Sequence, residues 1–210
     1  MKQVLLFLAV VAIAAPALAQ RHVEFFVDAE GVRRSSKATF EPNVVRYEPR
    51  FDTGGGLGGG INLFFTDRVS LETKVAAVES RLHLRRSGSD FVTVADLGYA
   101  QIYPITALLQ WHMLEGTAIR PYIGAGVGYM VVRNISRQTF GLAGVNFDNP
   151  TGLVVDGGLE LSLSKRWSVL GDARYTPIET RSNATFVGAA STAKVDVKPL
   201  IVSAGIAFRF

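Results

Sequence analysis

Leu200-Ile-Val-Ser-Ala-Gly-Ile-Ala-Phe-Arg-Phe210 carries two unlike rows of side chains. Taken every second residue, Leu200, Val202, Ala204, Ile206, Phe208 and Phe210 form an apolar row. Ile201, Ser203, Gly205, Ala207 and Arg209 form the other, small or polar over most of its length. This alternation is the period of a β-strand whose faces meet different surroundings. Apolar residues outward, small polar ones inward and an aromatic at Phe210 are the marks of a strand that closes an outer-membrane β-barrel. The rest of the chain can be tested against that idea.

At the other end, Lys2 precedes an apolar run over residues 4–15, then Pro16 and Ala17-Leu18-Ala19-Gln20. A charged start, a short apolar segment and an Ala-x-Ala site predict a secretory signal peptide over 1–19, leaving 20–210 as a single barrel domain. The apolar run is short for a membrane-spanning helix, and no other long one follows. The 210 residues are 48% hydrophobic, with 21 glycines and no cysteine. An exported protein without cysteine has neither disulfides nor Cys-type metal sites, so another device must hold it together. A closed barrel does so, because every backbone group pairs between strands. The formal charge of +4 becomes +3 without Lys2, too small a bias to imply nucleic acid.

Alternating segments predict strands over residues 23–30, 57–65, 70–77, 105–113, 122–131, 153–163, 167–176 and 200–210. Long polar stretches at 31–53, 80–99, 134–150 and 179–195 read as loops, and tight turns fall at 66–68, 115–117 and 164–166. Long and short links therefore alternate strictly. That rhythm predicts an all-β, eight-stranded antiparallel transmembrane β-barrel with both termini periplasmic, long loops outside and short turns inside. Phe65, Trp111, Trp167, Phe208 and Phe210 lie beside short turns or the carboxy-terminus, with Tyr129 and Tyr175 toward the opposite end. Amphipathic rings settle at headgroup depth, so the two sets predict interfacial belts.

Strand parity also assigns the interior. Glu72, Lys74, Asp156, Glu160, Asp172, Arg174 and Arg209 are the candidate lumen charge network. Unpaired charges would be costly to bury, so a paired network filling a narrow barrel is favoured over an ion path. Toward the outer end the inward residues become Val78, Leu108, Met130, Val154 and Ile201, a candidate apolar lumen for small hydrophobic solutes. Pro104, Pro177 and Pro199 sit near the outer ends of strands, where a missing N–H either weakens pairing enough for a lateral gap or merely ends the strand above the membrane. Arg33, Arg34, Lys37, Arg85, Arg86, Arg133 and Arg137, all read as external, are candidate contacts for lipopolysaccharide phosphates.

Tyr103-Pro-Ile-Thr-Ala-Leu-Leu-Gln-Trp-His-Met113, Arg120-Pro-Tyr-Ile-Gly-Ala-Gly-Val-Gly-Tyr129 and Asp172-Ala-Arg-Tyr-Thr-Pro-Ile178 resemble the OmpW family of small outer-membrane barrels. Phe65-Thr-Asp67 and the final Gly-Ile-Ala-Phe-Arg-Phe are similar too, so the resemblance covers most of residues 55–210. Leu200 stands where the family usually has an aromatic residue after the proline of the last strand. The resemblance implies passage of small hydrophobic molecules through a narrow apolar tunnel, with no enzyme activity and no cofactor. It also implies recognition of Phe208 and Phe210 by the barrel-assembly machinery. The wider OmpA-like and OmpX-like class, used for envelope anchoring or adhesion, stays open as the alternative.

Other motifs carry less. Gly124-Ala-Gly-Val-Gly128 lacks the βαβ setting of a nucleotide loop, and its inward glycines make room in a narrow barrel. His22, His83 and His112 have no metal-ligand spacing. A lipid-modifying enzyme needs a His near a Ser at the outer rim, and only His83 with Ser80 or Ser87 offers one.

Overall fold

A computed structural model describes the backbone of residues 22–41, 47–51, 53–86, 93–135, 142–147, 149–186 and 189–210. Side chains are described for 22–33, 53–81, 99, 101–133, 149–177 and 199–210. The expected signal peptide lies outside these residues. The strands are β1 (His22–Glu41), β2 (Tyr47–Phe51), β3 (Gly54–Phe64), β4 (Val69–Arg86), β5 (Thr93–His112) and β6 (Ile119–Ile135). They continue with β7 (Leu142–Phe147), β8 (Thr151–Ser162), β9 (Trp167–Tyr175), β10 (Ile178–Phe186) and β11 (Ala189–Arg209).

Eight of them, in the order β1-β3-β4-β5-β6-β8-β9-β11, pair antiparallel, and β11 pairs back to β1 from Glu24↔Arg209 upward. The sheet is thus a closed eight-stranded barrel. Residues 65–68, 113–118 and 163–166 make the short turns. The start of β1 and the carboxy-terminus meet at this same end, where the Phe210 N–H donates to the Val23 carbonyl at 2.9 Å.

The four stretches expected as loops contain strand. β1 runs on to Glu41, β4 to Arg86 and β5 begins at Thr93, while β2, β7 and β10 add short pairings to the outer rim. The cause is a change of surroundings. Alternation in sequence marks a strand only where its two faces meet unlike surroundings, whereas backbone pairing needs no alternation, so a strand can run on where the pattern has faded.

Within the membrane band the usual distribution is inverted. Leu57 and Leu153 on the outer face are each 71% exposed, whereas Glu72 and Arg174 inside are 4% and 3% exposed. At the short-turn end Trp167 meets Phe208 at 4.8 Å, Phe208 meets Phe210 at 4.8 Å, and Phe210 meets Phe25 at 5.3 Å, all edge to face. Outward Tyr99 and Tyr175 mark the opposite interface. The two belts define the height of the lipid-facing band.

Candidate functional site

The lumen is built from the inward row of each strand. Its lowest layer holds Arg120 of β6, hydrogen-bonded to Glu160 of β8 and lying 3.2 Å from Glu24 of β1. Arg209 of β11 donates to the same Glu24 oxygen at 2.7 Å. His112 packs between the rings of Phe64 and Tyr122, with centroids 4.9 and 5.3 Å away, and its Nε2 lies 3.1 Å from Ser70 Oγ. These residues floor the barrel at the periplasmic end.

Arg174 of β9 organises the middle layer. Its Nη2 lies 2.7 Å from Glu72, 3.7 Å from Asp172 and 3.8 Å from Asp156, and its Nη1 donates to Thr106 Oγ1 at 3.1 Å. Gln110 donates to Glu72 at 3.0 Å and Asp156 at 2.9 Å, and accepts from Asn62 at 3.1 Å. A side chain at Gly124 would meet both Asp156 and Gln110, so this glycine leaves the space in which they bond.

A third group crosses a strand. Lys74 of β4 is paired with Asp28 and, at 2.6 Å, with Glu30, both on β1, although β3 lies between. The reach is open because Gly58 of β3 has no side chain; a Cβ there would meet both Asp28 and Lys74. The seven expected charges are therefore distributed over all three groups. Glu24, Asp28, Glu30 and Arg120 belong to them as well and were not among the expected set. The acidic inner face of β1 is visible in the sequence, but its cations come from β4, β6 and β11. Arg120 lies just below the expected start of its strand.

Above the charges the lining turns apolar. Val78 and Ile201 cluster with Val32 and Ala76, while Met130 packs with Ile102 and Val132. Val154 lines a cavity with Met130, Ile201, Ala76 and Pro104, whose floor is Glu30, Lys74 and Arg174. Leu108 joins neither cluster: it is the register partner of Glu72, at the level of the middle charges.

That cavity is lined by Ala76 and Pro104, where the β4–β5 pairing pattern is incomplete. The β4–β5 ladder runs from Val69↔Trp111 to Val75↔Ile105 and resumes at Val78↔Ile102 in the same register, omitting Ala76–Pro104 and Ala77–Tyr103. Pro104 has no N–H to give there. On its other side it keeps its place opposite Met130. Pro177 and Pro199 behave differently. The Leu200↔Tyr175 pair is followed by a hydrogen bond from the Thr176 N–H to the Pro199 carbonyl at 3.3 Å, and β10 pairs with β11 from Ile178↔Val197. The chain stays zipped past both.

Ser80 is buried in the lumen, while the side chains of His83 and Ser87 lie outside the described set. Of the external cations, Arg33 and Arg133 have described, exposed side chains and lie on strands rather than loops. Arg34, Lys37, Arg85 and Arg86 lie on strands with side chains outside the described set, and Arg137 is outside it altogether.

The sequence profile of the OmpW family matches residues 27–210, extending the expected similarity to most of the first strand. Outer membrane protein W of Vibrio cholerae is 26% identical over the whole of both chains. Outer membrane protein AlkL of Ectopseudomonas oleovorans is 26% identical over 71% of this chain and 64% of its own length. The AlkL fold determined in lipid bilayers has a TM-score of 0.65 at 18% identity, covering 93% of this chain and 94% of that one. The crystal structure of OprG from Pseudomonas aeruginosa has a TM-score of 0.77 at 19% identity, over 92% of this chain and 98% of that one. A barrel that turns apolar residues to lipid, floors its lumen with ion pairs and matches this profile over nearly its full length belongs to the OmpW family of outer-membrane proteins.

Proposed function

We propose that the barrel passes small hydrophobic molecules from outside the cell into the outer membrane. The solute enters the apolar outer lumen over the Arg174 and Lys74 groups and leaves sideways between β4 and β5. The observation that carries this reading is the coincidence of the Met130–Val154–Ile201 cavity with the missing pairs at Pro104. Apolar lining stabilises an apolar solute by roughly 25 cal/mol per Å² removed from water. The ion-paired floor opposes straight passage, because an apolar molecule there would separate charges that need each other. The cavity has room for about one water molecule, so entry requires side chains to move aside. Met130, unbranched and adaptable, suits that demand. Outer-membrane lipid, the solute itself and the assembly machinery that reads Phe208 and Phe210 complete the set of partners.

A cysteine-free chain makes the test clean. Ala77→Cys with Tyr103→Cys places two thiols across the interruption, and Ile61→Cys with Thr73→Cys places two across an intact stretch of β3–β4. Uptake of an apolar fluorescent probe into vesicles should fall on oxidation of the first pair, recover on reduction, and ignore the second. Equal uptake by the oxidised and reduced first pair would remove the sideways route. The alternative reading, a non-transporting barrel for anchoring or adhesion, draws on the same ion-paired lumen but predicts no effect of either cross-link.

A further inference from the structure

We propose that the outer face of β4, β5 and β6, just above the lipid-facing band, is a binding site for the phosphate groups of lipopolysaccharide, with Arg81 and Arg133 as its two cationic arms. This rests on the outer-membrane location and is independent of the transport reading. Strand parity turns both arginines outward, and both are exposed. A strand step of about 3.3 Å and a tilt of about 40° lift Arg81 roughly 30 Å above Val69 at the turn end. An apolar band of about 25 Å leaves that height at the headgroups of the outer leaflet. Below Glu79 and Arg81 the outward residues of the same strand, Leu71, Thr73, Val75 and Ala77, are uncharged, as contact with acyl chains requires.

Each guanidinium is already oriented. Arg81 is the register partner of Tyr99 and its Cζ lies 5.3 Å from that ring centroid. Arg133 is the register partner of Gln101 and lies 5.8 Å from the Tyr103 ring. Stacking on a ring occupies a guanidinium face and leaves its N–H edges free, and those edges match two phosphate oxygens. The Tyr103 hydroxyl donates to Gln101 Oε1 at 3.1 Å, which turns the Gln101 amide N–H groups away as further donors between the arms. Two strand spacings and a two-residue offset put the arms about 12 Å apart, so they serve separate phosphates rather than one. Among the described residues neither arginine has a carboxylate within ion-pair distance. Glu79, outward on β4 beside Gln101, is the acid of the patch, and its charge opposes an anion.

A soluble anion would meet these groups only at the edge of a lipid surface, whereas a phosphorylated lipid places its phosphate there while its chains lie on the apolar band.

The test uses the full barrel in discs of neutral phospholipid containing either phosphorylated lipid A or the same lipid dephosphorylated. Lipid retained through a mild detergent wash is counted by native mass spectrometry. Wild type should retain the phosphorylated form and release the other. Arg81→Gln with Arg133→Gln should reduce retention about tenfold or more, as loss of charge-assisted hydrogen bonds at two phosphates requires. Glu79→Gln should increase it. Equal retention by wild type and the double variant, or no discrimination by phosphorylation, would overturn the proposal. So would displacement by inorganic phosphate at the concentration of the lipid, the behaviour of a free-anion site. If the double variant fails to fold, Glu79→Gln decides: unchanged retention also overturns it.

Discussion

Replacing Arg174 by Met should destabilise the barrel far more than replacing any exposed arginine. Arg174 serves three carboxylates, Glu72, Asp172 and Asp156, that are 4%, 6% and 7% exposed. Met matches much of its volume but leaves all three acids without their cation. Removing one partner of a buried pair costs about 3–5 kcal/mol, because the remaining charge is buried and uncompensated. At 1.4 kcal/mol per tenfold, this corresponds to roughly a thousandfold change in the folded-to-unfolded ratio. Arg68 is the control. Its Nε lies 2.6 Å from Glu115, no farther than Arg174 from Glu72, but the two side chains are 52% and 45% exposed. Solvent screening limits such a pair to about 1 kcal/mol or less. Urea unfolding in vesicles, read by the fluorescence of Trp111 and Trp167, measures both. Adding Glu72→Gln to Arg174→Met should restore more than about 1 kcal/mol, because the nearest orphaned charge is gone. Arg174→Met within about 1 kcal/mol of wild type, or equal to Arg68→Met, would refute the view that burial rather than distance sets the strength of these pairs.

Met130→Glu and Val154→Asp place a carboxylate in the outer cavity, and each should cut uptake of an apolar probe several-fold while heat-shifted mobility on gels still reports a folded barrel. Normal uptake by the folded double variant would remove the apolar lining from the mechanism. Deleting Phe210 removes the hydrogen bond to Val23 and the edge contacts to Phe25 and Phe208. The folded fraction in the outer membrane should fall with export unchanged, and an unaltered level of heat-modifiable barrel would count against an assembly role.

Much of this architecture was legible in the chain. The inward and outward rows of all eight barrel strands follow from parity, since a strand has only two faces and one of them meets lipid. Glu72, Lys74, Asp156, Glu160, Asp172, Arg174 and Arg209 were identifiable as interior charges for the same reason. Arg81 was hidden, because the stretch beyond residue 80 has no alternation left to read and passed for loop. Loop and strand look alike in sequence where the side chains do not alternate.

Sequence by itself determined the compartment, the strand number, the closed sheet and the sign of each face, because those depend on local periodicity and on the solvent each side chain must meet. Only the tertiary structure decided which charges pair. Lys74 reaches Asp28 across β3 because Gly58 leaves the way open, and Glu24 collects Arg120 and Arg209 because the barrel closes β1 against β11. It also decided how each proline meets its neighbouring strand. Pro104, Pro177 and Pro199 lack the same N–H, but the Thr176 N–H bonds Pro199, whereas Pro104 has no N–H to give Ala76 and that pair drops out of the ladder. A residue's face is a property of its own strand, whereas its partner is a property of register between strands, and register is set only when the barrel closes.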